Sequence, residues 1–128
     1  MDLITVDFET YYDKKYSLTK MTTEEYIRDP RFEVIGVGVK VNNNKTEWAS
    51  GTNDQIRQFL QTFDFEASCV LAHNTMFDGA ILDWHYNINP RFYTDTLCIA
   101  RAVDGVEVSG SLRALAERYQ LGVKGTEV

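Results

Sequence analysis

Two acidic residues stand at the end of the chain's first apolar run, and they constrain the fold more than any other feature. The run begins at Leu3, and Asp7 and Glu9 lie on either side of Phe8. In a β-strand, residues two apart point to the same face, so the two Cα atoms would lie about 6.6 Å apart. Neighbouring like charges repel each other, and a bound divalent cation removes that cost. Because carboxylate oxygens are preferred ligands of Mg²⁺ and Mn²⁺, this strand predicts a metal site.

A second segment places a third acid where a strand passes into a helix. An apolar strand is predicted at about 68–72, followed by Asn74, a favourable helix N-cap residue. Asp78 lies four residues after Asn74, on the same helix face and in or near the first turn, where the helix dipole stabilises an acid. The junction can therefore direct a third carboxylate toward the first two.

The rest of the pattern predicts an α/β fold in which a hairpin is followed by strands that alternate with helices. The predicted strands are 3–9, 32–41, 45–50, 68–72 and 92–93. The predicted helices are 23–28, 53–62, 74–86, 95–103 and a last one from Ser111 to near Gly122. Gly36 and Gly38 allow close backbone approach in the second strand. In open α/β sheets the site lies at the carboxyl ends of the strands, which is where both acidic segments fall.

Together, these segments resemble the motifs of the DEDD family of 3′→5′ exonucleases, the DnaQ-like group. Residues 7–10 look like the family's first motif, and residues 74–78 look like its second. Other family-like segments are 10–13, 26–32, 93–101 and 110–119. The first two of these look closest to the proofreading exonuclease domains of bacteriophage family A DNA polymerases. The resemblance implies a ribonuclease-H-like fold, with a mixed β-sheet flanked by helices.

The resemblance also assigns the catalytic and metal-binding residues. Asp7, Glu9 and Asp78 would bind two Mg²⁺ or Mn²⁺ ions, which in this family promote hydrolysis that releases 5′-mononucleotides from a DNA 3′ end. His73 precedes the expected cap and has no evident partner in the sequence, so it receives no catalytic role.

Substrate contacts are assigned in the same way. By resemblance, Thr10 touches the 3′-terminal nucleotide, and the aromatic rings of Phe8 and Phe77 flank site acids, where they can stack on a base. For Phe8, packing in the core is the favoured alternative. Asn74 is expected to cap its helix first and to organise the site second. Asp95 is expected to cap the following helix, and in the family an acid there can support the site.

The family's third motif, in which a Tyr or His shortly precedes a final metal-binding Asp, is not found in the sequence. The late acids are Glu117 and Glu127, and no matching Asp follows Tyr119. By resemblance, the chain is expected to be a truncated domain that lacks the family's C-terminal helix and has weak or no activity. The alternative is a catalytically dead module of the same fold that binds nucleic acid or a protein partner. A ribonuclease-H-type endonuclease is a more remote hypothesis.

Composition limits the other classes of function. The 128 residues are 44% hydrophobic and 25% charged, which is typical of one soluble globular domain spanning 1–128. The sequence has no membrane span or basic signal region, so a cytoplasmic location is expected, in the host if the chain is phage-encoded.

Charge and the missing motif bear on the expected partners. With a net charge of −6, the chain alone is expected to bind DNA weakly. By resemblance, its substrate is a single-stranded DNA 3′ end, and a polymerase domain is its partner. A sheet face or edge left uncovered by truncation predicts self-association into a homo-oligomer.

Overall fold

A five-stranded mixed β-sheet forms the centre of the molecule in a computed structural model that describes residues 1–122. The strands are β1 (Leu3–Thr10), β2 (Val34–Val41), β3 (Glu47–Ser50), β4 (Cys69–Ala72) and β5 (Phe92–Asp95). Their spatial order is β3-β2-β1-β4-β5. The β1–β2 and β2–β3 pairs are antiparallel, and the β1–β4 and β4–β5 pairs are parallel. The strand that carries the first two acids is therefore the central one.

Short α-helices connect and follow the strands. They are α1 (Thr23–Arg28), α2 (Asn53–Leu60), α3 (Thr75–Tyr86), α4 (Thr96–Asp104) and α5 (Leu112–Arg118). Capping boxes begin α1 and α2, where the hydroxyls of Thr22 and Thr52 accept the backbone N–H groups of Glu25 and Gln55. The longest helix, α3, has 12 residues. Within residues 1–122, no helix is long and apolar enough to cross a membrane.

The two faces of β1 have different environments. Ile4, Val6 and Phe8 are 1%, 2% and 4% exposed and belong to the main hydrophobic core, which the sheet forms with α1, α2 and α3. On the opposite face, Asp7 is exposed and Glu9 is half-buried. The alternation follows from the two-residue period of a strand. It presents the first two acids away from the core.

The mixed α/β architecture predicted from the sequence is confirmed, with shifts at the ends of some elements. β5 continues to Asp95 rather than ending near Tyr93, because its last residues pair with the end of β4. β2 begins at Val34 rather than near Phe32. The chain before it is still turning there, since the Phe32 N–H donates to the carbonyl of Asp29.

Candidate active site

Asp7 and Glu9 lie near the carboxyl end of the central strand. Their directly opposed residues on β2 are both glycines, Gly38 opposite Asp7 and Gly36 opposite Glu9. The register shifts just after Glu9, which marks a β-bulge, a feature that changes the direction of side chains next to it. The two acids therefore lie opposite positions of β2 that carry no side chain.

Asp78 approaches β1 from the first turn of α3. The pairing of β1 with β4 ends at Thr5, so β1 extends beyond its parallel neighbour. The carboxylate of Asp78 fills this position, because its Oδ1 accepts the backbone N–H of Phe8 at 3.1 Å. Asp78 is 4% exposed. This hydrogen bond attaches the start of α3 to the residue between the first two acids.

The electrostatics of Asp78 reflect that position. Burial raises the pKa of its carboxyl to about 8, while the hydrogen bond from Phe8 N–H acts in the opposite direction. The negative charges of Asp7 and Glu9 contribute to this rise in the pKa. Because both acids influence Asp78, the three carboxyl groups share one electrostatic environment. A cation in their midst would favour the ionised form of all three.

The donor set fits a hard divalent cation in its chemistry, since it consists of carboxylate oxygens. In the part of the chain that the structure describes, however, no group of three or more His, Cys, Asp or Glu side chains is arranged as a ready metal site. Asp78 Oδ1 is turned toward the N–H of Phe8. Metal ligation by all three acids would therefore require the Asp78 carboxyl to ionise and to present an oxygen to the cation.

Asn74 occupies the N-cap position of α3, but the predicted side-chain cap is wrong. Its backbone is left-handed, with φ 76° and ψ 70°, and its side chain makes no capping hydrogen bond. A side-chain cap requires an extended backbone, from which the side chain can reach the first turn. Asp95, at the end of β5, replaces it by accepting the N–H groups of Asn74 at 2.9 Å and Thr75 at 3.0 Å.

Asp95 also caps its own helix, as the sequence predicts. Its Oδ1 accepts the N–H of Leu97 at 2.8 Å, and its Oδ2 accepts the hydroxyl of Thr75 at 3.1 Å. Burial disfavours the charge of this carboxylate, but the hydrogen bonds from Asn74, Thr75 and Leu97 outweigh that effect and lower its pKa to about 2. Asp95 thus joins the starts of α3 and α4, which fixes the helix that carries Asp78.

The residues predicted to contact substrate have different environments. Phe8 is 4% exposed and stacks on Tyr86 with ring centroids 6.0 Å apart. Its predicted role in stacking on a base is therefore corrected to the core-packing alternative. The hydroxyl of Thr10 lies 2.9 Å from that of Tyr26. Phe77 is half-buried, with its ring centroid 6.0 Å from that of Tyr26.

His73 makes hydrogen bonds to two other segments of the chain. Its Nδ1 lies 2.8 Å from the hydroxyl of Thr96, and its Nε2 lies 2.7 Å from the carbonyl of Gly110. Since a carbonyl only accepts, Nε2 carries the proton of that bond. His73 therefore ties the end of β4 to α4 and to the loop before α5. No sequence pattern indicates these partners, because they lie 23 and 37 residues away.

Two cavities meet at Asp7 on this face of the sheet. One, of about 450 Å³, extends over β2 and β3, where Lys40 and Trp48 contribute to its walls. The other, of about 590 Å³, lies beside α4 and α5 and is mainly lined by apolar side chains such as Ile99 and Leu115. Sequence reasoning missed Lys40 and Trp48 as neighbours of the acids. The available signal was the pair Gly36 and Gly38 in β2, which have the same two-residue spacing as the two acids that they oppose.

Comparisons with known proteins show the fold. No protein-family model matches the chain, and no curated protein matches it. Brucella melitensis NrnC with bound Mg²⁺ superposes with a TM-score of 0.70 at 12% sequence identity, over 98% of this chain and 57% of that one. NrnC bound to pGG gives a TM-score of 0.69 at 12% identity, over 98% and 56%. The chain spans somewhat more than half the length of these structures, and the predicted ribonuclease-H-like fold is confirmed.

Proposed function

We propose that this chain is a divalent-metal-dependent nuclease domain that removes nucleotides from the 3′ end of single-stranded nucleic acid. The observation that carries the proposal is the relation of Asp78 to β1: its carboxyl accepts the N–H of Phe8, between Asp7 and Glu9, and is influenced by both of their charges. Three carboxyl groups in one environment are costly without a cation. The order of the motifs along the chain supports the same reaction.

Asp7, Glu9 and Asp78 are the residues proposed to hold Mg²⁺ or Mn²⁺, with two ions in a complete site. Bound ions would supply charge neutralisation at the scissile phosphate and activation of a water molecule. The chain's own contribution is orientation. β1 holds Asp7 and Glu9 on one face, the N–H of Phe8 aligns Asp78, and Asp95 fixes the start of α3. The fold likeness to NrnC with bound Mg²⁺ is consistent with this choice of metal.

The finer proposal is a proofreading exonuclease that acts on DNA, releases 5′-mononucleotides and works beside a polymerase domain. It is supported by the resemblance of residues 10–13 and 26–32 to the phage polymerase domains. Short oligonucleotides are the competing substrate, because NrnC has been solved with pGG.

The second candidate function is a catalytically dead module that binds nucleic acid or a protein partner. The observation in its favour is that the side chains of residues 1–122 form no ready group of three metal ligands. Such a module would bind single strands equally well with Mg²⁺ and with a chelator. An exonuclease of this design needs the cation to offset its own carboxylates and the substrate's phosphates.

Polarity and product distinguish these functions. The chain is incubated with Mn²⁺ and a linear DNA strand labelled at its 3′ end, and with pGG. We expect labelled 5′-mononucleotide to be the first product released from the linear strand. A circular single strand of similar composition serves as the control and should remain intact. Cleavage of the circle, or cuts within an RNA–DNA hybrid, would indicate an endonuclease, and metal-independent binding without cleavage would indicate the dead module.

A further inference from the structure

The face of the sheet that carries Asp7 and Glu9 continues across β2 to the edge strand β3. In antiparallel pairs, directly opposed residues project to the same face. Asp7 is opposed by Gly38, and Gly38 is opposed in turn by Trp48. These residues form a row from the central strand to the edge of the sheet. Glu9 heads the neighbouring row, in which its partner on β2 is Gly36.

The indole ring of Trp48 leans out of its own row toward the row of Glu9. A Cβ atom placed on Gly36 would lie 2.6 Å from Cη2 of the ring, whereas a Cβ atom on Gly38 would lie 4.0 Å from Cε3. The ring therefore rests on the backbone of Gly36, where a side chain would overlap it. Trp48 is nevertheless 54% exposed, so the indole offers a broad open surface beside the acids.

One cavity brings this ring together with charged groups of both signs. Its volume is about 450 Å³, and its walls include Trp48, Lys40 and Thr46 as well as Asp7 and Glu9. Lys40 is half-buried and contributes a positively charged residue to the wall of the same space. An aromatic surface, a cation and a hydroxyl beside metal-binding acids form a set of groups that can hold a nucleotide.

We infer that Trp48 is a stacking platform for a nucleobase of single-stranded nucleic acid, with Lys40 as a contact for the adjoining phosphate. The inference rests on the proposed nuclease function, because the neighbouring acids are what bring a nucleotide to this cavity. Stacking on an indole is independent of base identity, which suits an enzyme that shortens strands of any sequence. It also supplies affinity that a chain of net charge −6 does not gain from its overall charge.

A purely structural role for the ring makes a different prediction. If Trp48 only covers the glycines of an edge region, its removal alters stability and leaves nucleotide binding unchanged. The two glycines provide a matched pair of variants. Gly36→Ala should push the ring out of its place and would also meet the backbone carbonyl oxygen of Ala49 at 2.8 Å, so its effect is judged together with that of Trp48→Ala. Gly38→Ala meets its nearest atoms at 3.9 Å and beyond and should leave the ring where it is. If Trp48 binds a base, only the first variant weakens binding.

Indole fluorescence tests the contact directly. The chain contains two tryptophans, so Trp84→Phe leaves Trp48 as the reporter. This variant is titrated, in Ca²⁺, with an oligothymidylate and with an abasic deoxyribose-phosphate strand of the same length. We expect saturable quenching by the oligothymidylate and little by the abasic strand. In parallel, anisotropy with a labelled oligothymidylate should give a Kd raised about tenfold by Trp48→Ala and by Gly36→Ala, and nearly unchanged in Gly38→Ala.

The outcomes separate this inference from the proposed function. Trp48→Phe keeps an aromatic face and should retain most of the affinity, which distinguishes stacking from a general loss of structure. If the strand is cleaved in Mn²⁺ while Trp48 fluorescence and the Trp48→Ala affinity stay unchanged, the platform is wrong and the nuclease proposal stands. If no variant binds or cleaves any strand, both are contradicted together.

Discussion

Asp78 is both buried and ionisable, and its neighbours determine which of its protonation states the fold favours. Its carboxyl is 4% exposed, and burial raises its pKa to about 8 from an ordinary value of 3.8. Asp7 and Glu9 add to the rise. The protonated form is thus favoured at neutral pH until a cation replaces the proton. Protons and divalent cations should therefore compete for this residue.

A pH series on metal-free protein tests this. Because the folded pKa of Asp78 is raised, its contribution to stability is present below about pH 4 and is lost as pH rises through about 8. Asp78→Asn removes that loss, and its amide oxygen can still accept the N–H of Phe8. In EDTA, the urea midpoint of the natural chain should fall more between pH 5 and pH 9 than that of the variant.

The control for this series lies on the same helix. Asp83 is exposed, and Asp83→Asn should reproduce the pH dependence of the natural chain. Equal pH dependence of all three proteins would show that Asp78 ionises normally. In that case the hydrogen bond that Asp78 accepts from Phe8 would not be evidence that its carboxyl shares an electrostatic environment with Asp7 and Glu9.

At the scale of elements, the candidate site depends on the carboxylate of Asp95, which joins one strand and two helices. Asp95 ends β5, caps α4 and accepts two N–H groups at the start of α3. A helix start whose N–H groups lack a local cap needs such a partner. Since α3 carries Asp78, we expect Asp95 to position the candidate site through the start of α3.

Asp95→Asn should destabilise the chain in a pH-dependent way. A pKa lowered to about 2 means that the carboxylate stabilises the fold above about pH 4, and that this contribution is lost as pH falls through about 2. Allowing for solvent screening of a half-buried group, we expect a loss of about 1 kcal/mol at pH 7. Urea unfolding at pH 7 and at pH 2.5 measures it.

An exposed acid supplies the comparison for Asp95. Glu107→Gln removes one negative charge from the loop between α4 and α5 and should leave the unfolding midpoint unchanged. If Asp95→Asn lowers the free energy of unfolding equally at both pH values, the effect comes from the altered hydrogen bonds or packing and not from the lost charge.

The sequence predicts those elements whose signals are local. The capping box at Thr22 and the alternation of acids with apolar residues in β1 involve residues within a few positions of each other, and both are found. The cap of α3 was missed because its acceptor, Asp95, lies about 20 residues away and acts only once the sheet has formed. The position of Trp48 beside the acids was missed for the same reason, because it depends on the register of three strands.

At the scale of the whole molecule, the two sides of the sheet are unequal. The main core lies on the side of α1, α2 and α3, whereas the groove beside α4 and α5 leaves apolar side chains in contact with solvent. Ile99 is 50% exposed and Val103 is 71% exposed along that groove. Contiguous apolar surface of this kind favours association, and the self-association expected from the sequence stays a prediction.

Sedimentation velocity tests that prediction. We expect the sedimentation coefficient of the natural chain to rise with concentration, and Val103→Lys to remove the rise by placing a charge in the groove. Val106→Lys is the matched control, because Val106 is 80% exposed in the following loop and does not line the groove. A monomer at every concentration tested would contradict self-association.

Metal binding by the three acids is the claim on which the proposed activity depends, and it can be measured without substrate. Mn²⁺ is titrated into the natural chain and into Asp7→Ala, and free Mn²⁺ is followed by electron paramagnetic resonance. The acids should bind Mn²⁺ in the natural chain, with an affinity that falls sharply in Asp7→Ala and is weaker at pH 6 than at pH 8.5, because Asp78 must ionise. Identical binding curves for the two proteins would contradict the metal site and, with it, the proposed nuclease.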